Sequence, residues 1–184
     1  YRAETPGPSK DSKLTPRIAE TAKALFAIYV ALTATCGLAY YAAGMTPFDA
    51  LCHAFSTVAI GGFSTHDASM GYFDSNTIYL ICTLFMLVSA INFGMHYSAF
   101  KRRSLSHYRQ DSETRFFGSA MLVCTTATIA YLIASGTLEV EDGIVHGLFQ
   151  AVSITTTTGF ATQDFAAWPG FLPMMLLMFS FMGG

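Results

Sequence analysis

"QAVSITTTTGFATQD", residues 150 to 164, sets four consecutive threonines and a glycine between apolar stretches of a chain that is 52% hydrophobic and only 12% charged. A row of hydroxyls on a flexible backbone is out of place in hydrocarbon unless protein surrounds it or it lines a wet cavity. The surrounding composition indicates a helical membrane protein: 184 residues with apolar runs of about 20 residues exceed what a soluble core needs. Cys36, Cys52, Cys82 and Cys124 stand singly in hydrophobic segments without a CxxC pair, and they read as buried thiols rather than as disulfide or metal ligands.

Three stretches are long enough to cross roughly 30 Å of hydrocarbon, 24–43, 77–100 and 116–135, and a fourth begins at Pro169. The chain has no initiator Met, and this last segment stops at Gly184, so it reads as a piece of a longer polypeptide. All ten basic residues fall in two places. Arg2, Lys10, Lys13, Arg17 and Lys23 precede the first span, and Lys101, Arg102, Arg103, Arg109 and Arg115 separate the second from the third. The positive-inside rule makes 1–23 and 101–115 cytoplasmic. The connections 44–76 and 136–168 hold acidic residues and no Lys or Arg, so they face outside.

Each outer connection contains an apolar stretch too short to span, 47–59 and 143–155, which predicts a re-entrant helix. Thr46 before Pro47, with Asp49 in the first turn, opens one; Glu141 and Asp142 open the other. Both helices enter from outside and point their C-termini into the membrane.

The stretch has an echo. Sliding the chain by 97 residues lays "HAFSTVAIGGFSTHD" (53 to 67) on residues 150 to 164, pairing Ala54/Ala151, Ser56/Ser153, Gly62/Gly159, Phe63/Phe160, Thr65/Thr162 and Asp67/Asp164. The repeating unit is span, short helix, loop, span, occupying 24–100 and, incompletely, 116–184. A unit that crosses twice preserves orientation, so successive units are related by rotation about the membrane normal, and such an array encloses an axis.

These motifs resemble the Trk/Ktr/HKT potassium transporter superfamily, and within it the bacterial TrkH/TrkG type, over nearly the whole chain. "TTTTGFATQDF" is a rather specific match, and "AIGGFSTHD" a looser one in which Ala59, Ile60 and Gly61 replace threonines. The resemblance implies an all-α membrane protein with tandem span, pore-helix, span repeats around a potassium-channel-like filter. Four units in one polypeptide surround one pathway, the second and part of the third being present here. The filter loops become 60–65 and 156–162, with Gly62 and Gly159 the retained glycines.

The chemistry fits a dehydrated cation, whose lost water oxygens must be replaced by fixed ones. Backbone carbonyls supply them without net charge, glycine allows the backbone angles that aim them, and threonine hydroxyls either add a ligand or hold the loop. The expected carbonyl ligands are Ile60, Gly61, Gly62 and Phe63 with Thr157, Thr158, Gly159 and Phe160. Inward-pointing helix C-termini favour a cation. Asp67 and Asp164 stand toward the outer mouth, as cation-concentrating carboxylates or as solvated loop residues.

The resemblance also implies potassium as the transported ion, no organic cofactor in this chain, and a location in the bacterial inner membrane. Implied partners are membrane lipid, the remaining repeats, a second copy in a homodimer and a cytosolic TrkA-type nucleotide-binding subunit, with no nucleic acid. A gate belongs to a Gly-rich break of which only Gly183 and Gly184 fall in this sequence. Channel and symport with protons or sodium both stay open.

Competing readings attach to other residues. Asn92 and His96 interrupt the second span, either as functional polar groups or as packing with Gly94 and a cytoplasmic edge. Tyr40, Tyr41, Tyr97 and Trp168 read as interface anchors, and "KRRSLSHYR" (101 to 109) as an ordinary cytoplasmic loop or a docking segment. Asp49, His53 and Ser56 form the polar cluster an intramembrane hydrolase would need, but Gln150 replaces His53 in the echo. A non-transporting assembly subunit would need neither repeated glycines nor re-entrant loops.

Overall fold

The computed structural model describes residues 8–102 and 111–181. Arg2, Arg103 and Arg109 and the expected gate glycines Gly183 and Gly184 lie outside the described residues. The helices are α1 (Pro8–Ala42), α2 (Pro47–Val58), α3 (Asn76–Ala90), α4 (Phe93–Arg102), α5 (Ser112–Ala134), α6 (Val140–Thr155) and α7 (Leu172–Ser180), with 3₁₀ turns at Ser69–Phe73 and Phe165–Ala167. No strand occurs among the described residues.

Among the described residues, two helices are long and apolar enough to cross a membrane, Ala19–Ala42 and Ser112–Ala134. Each ends in the same way. Gly44 and Gly136 take φ of +105° and +65°, and Met45 and Thr137 return their N–H groups to the carbonyls of Tyr40 and Leu132, both at 3.1 Å. This glycine C-cap satisfies the last carbonyls and turns the chain toward the next helix.

The expected single span over 77–100 is instead two helices. α3 has 15 residues, about 22 Å at 1.5 Å per residue and short of the hydrocarbon thickness. Ile91 is extended (φ −78°, ψ 138°), and Asn92 restarts the helix by accepting the Gly94 N–H on Oδ1 at 2.8 Å. His96 reaches back across the break, Nε2 to the Val88 carbonyl at 2.9 Å. It helps satisfy the carbonyls of that helix end.

The short helices follow their caps. Thr46 accepts the Asp49 N–H at 3.1 Å and donates to Asp49 Oδ2 at 2.7 Å, with Pro47 at the first helical position. α6 starts three residues before the expected Gly143, with Glu139 at its N-cap and Glu141 and Asp142 in its first turn.

Within each unit the span packs on its short helix, α1 on α2 and α5 on α6, while α3 packs on α6 and joins the units. Small residues permit the approach: a Cβ on Gly37 would lie 3.4 Å from that of Ala54, and one on Gly147 3.0 Å from Ile129 Cγ1. One core therefore crosses the unit boundary, with Cys36, Tyr40, Val58, Met70, Cys82 and Met86 of the first unit meeting Phe149, Val152 and Phe160 of the second. A smaller cluster of Cys124, Leu132, Ala151, Trp168, Leu172 and Leu176 holds the second unit together.

Tyr40 and Trp168 belong to these cores and are not interface anchors; the Tyr40 hydroxyl pairs with Thr57 Oγ1 at 2.8 Å. Cys36, Cys82 and Cys124 are buried free thiols, and Cys52 is half-buried. The outer surface keeps large apolar side chains such as Phe26, Leu38, Leu84 and Leu122 exposed, as a lipid-facing or repeat-facing surface does.

Candidate functional site

The two loops leave their short helices by the same backbone path. Ala59 and Thr156, the C-caps, are right-handed with φ of −80° and −79°. Ile60 and Thr157 follow at +53° and +62°, and Gly62 and Gly159, two residues on, at +66° and +86°. The residues between, Gly61 and Thr158, do not share the positive φ. Left-handed residues at every second position thus give both loops the same sequence of turns.

Four of the loop N–H groups bond back to the short helices. Ile60 and Gly61 donate to the carbonyls of Thr57 (3.1 Å) and Ser56 (2.7 Å), and Thr157 and Gly159 donate to Ile154 (3.0 Å) and Ser153 (3.2 Å). These donors close the ends of α2 and α6, while in the second loop the Phe160 and Ala161 carbonyls accept from Ser153 Oγ and the Gly71 N–H. No basic residue occupies the last turn of either helix, so the negative dipole ends are uncompensated there.

Ile60 and Thr157 are both β-branched and both left-handed, a conformation costing about 1–3 kcal/mol and retained only where surroundings impose it. The angle, not the side chain, is what repeats. Glycine was expected to allow these angles, and Gly62 and Gly159 do; the other two fall on residues the sequence gives no reason to suspect.

The loops also abut. A Cβ on Gly62 would lie 2.0 Å from the Thr158 carbonyl oxygen and 3.2 Å from the Gly159 carbonyl carbon. The 3₁₀ turn of the first unit clamps the second loop: Gly71 donates its N–H to the Ala161 carbonyl at 3.1 Å, and Ser69 Oγ accepts the Ala161 N–H at 3.2 Å. Gly159, by contrast, faces open space. Thr157 and Gly159 line a groove of about 300 Å³ with Ile154, Phe165, Pro173 and Leu177.

The threonine row divides by role. Thr155, Thr156 and Thr158 are buried. The hydroxyls of Thr156 and Thr158 pair at 2.7 Å, Thr156 donates to the Ser153 carbonyl at 3.3 Å, and Thr155 donates to Cys124 Sγ at 3.5 Å. Only Thr157 of the four is exposed. Three hydroxyls therefore hold the loop against the protein.

The repeated phenylalanines part company. Phe160 is fully buried, its ring 5.9 Å from that of His53 on the first short helix, and its carbonyl accepts from Ser153 Oγ at 2.6 Å. Phe63 is 82% exposed. Asp67 and Asp164 are exposed beyond the loops, Asp164 Oδ1 accepting the Ala166 N–H at 3.1 Å to open the following 3₁₀ turn.

Behind the first loop lies a polar network that sequence reasoning grouped differently. His53 is fully buried. Its Nδ1 lies 2.8 Å from the Asp49 carbonyl, which can only accept, so Nδ1 carries the proton and Nε2 accepts from Ser64 Oγ at 2.9 Å. Ser56, the expected nucleophile of a hydrolase cluster, does not pair with it; its Oγ is a buried group without a hydrogen-bond partner.

The Asp49 carboxylate instead accepts from Thr65 Oγ1 at 2.6 Å and Thr46 Oγ1 at 2.7 Å. Those hydroxyls hold it below the usual carboxylate range. His66 Nε2 sits 3.2 Å from Asp49 Oδ1, within ion-pair range but outside hydrogen-bond geometry. In the second unit His146 Nδ1 lies 2.9 Å from Thr162 Oγ1. These contacts were missed in the sequence; the signal available was the 97-residue register, which places His146 on Asp49 and Thr162 on Thr65.

A family model described as TrkH, cation transport protein, matches residues 1–184. The Trk system potassium uptake protein TrkH of Halomonas elongata is 56% identical over 187 residues, and its counterpart in Escherichia coli (strain K12) 50% over 188. Both alignments take in all of this chain and 38% of the relative. The crystal structure of the potassium transporter TrkH from Vibrio parahaemolyticus superposes with a TM-score of 0.87 at 51% identity, covering 90% of this chain and 36% of that one.

Proposed function

The chain belongs to the TrkH family of cation transport proteins, and on that premise we propose that it contributes two loops of a potassium pathway across the bacterial inner membrane. The repeated backbone path carries this reading: left-handed residues at 60 and 62 recur at 157 and 159, at the C-termini of two helices whose loops touch. Two unrelated side chains, Ile60 and Thr157, hold one backbone angle, as carbonyl coordination requires and side-chain chemistry does not.

The ion ligands in this reading are the carbonyls of Ile60, Gly61, Gly62 and Phe63 with those of Thr157, Thr158 and Gly159. Phe160 anchors its loop, since Ser153 already holds its carbonyl. Asp67 and Asp164 stand where they raise the local cation concentration. Potassium is the substrate, and the chain needs no organic cofactor and performs no covalent catalysis. The hydrolase alternative loses its base–nucleophile pair, because His53 serves Ser64 and not Ser56.

The relatives are named as members of a Trk system, which supports a place in such an assembly; the partners proposed in it are a TrkA-type cytosolic subunit, a second copy and the further repeats. The chain spans 38% of its curated relatives' length, so the pathway is completed by other units. The test is Gly159→Ala in the full-length protein, in cells lacking other potassium uptake. We expect lost growth at low potassium and weakened discrimination against sodium in liposome flux; unchanged selectivity and rate would refute the loop assignment.

A further inference from the structure

Resting on that reading, we propose that Asp49 and His146 are positioning residues that fix the outer ends of the two ion-coordinating loops through Thr65 and Thr162, so that cation discrimination depends on them although neither reaches the ion. The positions are equivalent in the repeat, 49 to 146 and 65 to 162, each 97 apart. In each unit a side chain of the short helix, the third residue of α2 and the seventh of α6, pairs with the threonine that ends the loop. The contact is 2.6 Å from Thr65 Oγ1 to Asp49 Oδ1 and 2.9 Å between His146 Nδ1 and Thr162 Oγ1.

The loop is then held at both ends. Its inner end is tied by N–H groups to the helix C-terminus, and its outer end by this hydroxyl. A tether matters because a carbonyl site discriminates between cations only while its oxygens keep their spacing. The acid is itself fixed, by Thr46 at the helix start and by its 93% burial, whereas the imidazole is braced by the ring of Tyr79 at 5.7 Å, from α3 of the other unit. The chemistry changes between the units and the tether stays, which marks the contact rather than the residue type as what the loop uses.

Potassium and sodium flux through the full-length protein in liposomes, at matched protein content, tests this. Thr65→Val and Thr162→Val keep shape and remove the hydroxyl. Each is expected to lower the potassium-to-sodium flux ratio about fivefold, the worth of one net hydrogen bond, and Thr65→Ser and Thr162→Ser are expected to restore it. Asp49→Ala, which also loses the Thr46 bond, should fall at least to the Thr65→Val level, and the Asp49→Ala, Thr65→Val double variant no lower than Asp49→Ala, because the two share the Thr65 contact.

Unchanged ratios in both valine variants, or additive losses in the double variant, overturn the tether. If Asp49→Ala does not accumulate in the membrane, the isosteric threonine variants decide alone. Gly159→Ala measured alongside separates the two levels. Collapse of its ratio while the valine variants stay normal sinks only the tether, whereas no change in any of them sinks the loop assignment as well.

Discussion

Gly62 and Gly159 share a place in the repeat and a positive φ, yet a methyl group added to each meets different surroundings. At Gly159 nothing in this chain stands within 4 Å. At Gly62 the same methyl would sit 2.0 Å from the Thr158 carbonyl oxygen, and backbone must move. Gly62→Ala should therefore reduce the yield of folded full-length protein, measured by fluorescence-detected size exclusion; a yield equal to the parent's would deny the contact between loops. Asp49 makes a second residue-scale prediction. Its folded-state pKa is depressed, with the Thr65 hydroxyl the leading cause. Its stabilising contribution is therefore present above the unfolded value of about 3.9 and is lost as pH falls through the lower folded value. Acidifying the outer face from pH 7 to pH 5 should leave this tether intact. A loss of uptake in that window that Asp49→Asn abolishes would contradict it.

At the scale of elements, what could be read from the chain was what local chemistry announces. Thr46, Pro47 and Asp49 fixed the start of α2, the acidic pair at 141 and 142 lay in the first turn of α6, and the 97-residue echo located both loops. The break between α3 and α4 was hidden because an apolar run has the same composition whether its helix is continuous or interrupted. Only Asn92 and His96 signalled it, and each also suits a packing role. The exchange of Asp49 for His146 concealed the tethers in the same manner, since equivalence in space carried no identity in sequence. The break itself is testable. Asn92 caps α4 through the Gly94 N–H, so Asn92→Ala should cost about 1 kcal/mol, read as a lower Tm of the full-length protein in detergent. Asn92→Asp, which keeps the acceptor, should hold the original Tm. A variant Asn92→Ala as stable as the parent would mean the cap contributes nothing and α4 is set by packing on α1 alone.

At the scale of the whole molecule the units pack in one direction. Phe160 of the second unit buries itself against His53 of the first, and Gly62 of the first loop receives the second loop's backbone. A rotational repeat applies the same contact at every boundary. Phe63 then belongs against the short helix of a unit preceding this one, and the open groove at Gly159 receives the loop of a unit that follows. On this arrangement we predict that the 82% exposure of Phe63 is lost in the full-length protein, and relatives much longer than this chain have room for further units. Phe160→Ala should cost about 3–5 kcal/mol, and in the full-length protein Phe63→Ala should cost a similar amount. Labelling gives the sharper test. With Phe63→Cys and Asp67→Cys in the full-length protein, a membrane-impermeant thiol reagent applied from outside should modify position 67 rapidly. Position 63 should react at least tenfold more slowly, about 1.4 kcal/mol of protection. Equal rates would place Phe63 in the open outer mouth, and the packing direction read from Phe160 would not extend around the axis.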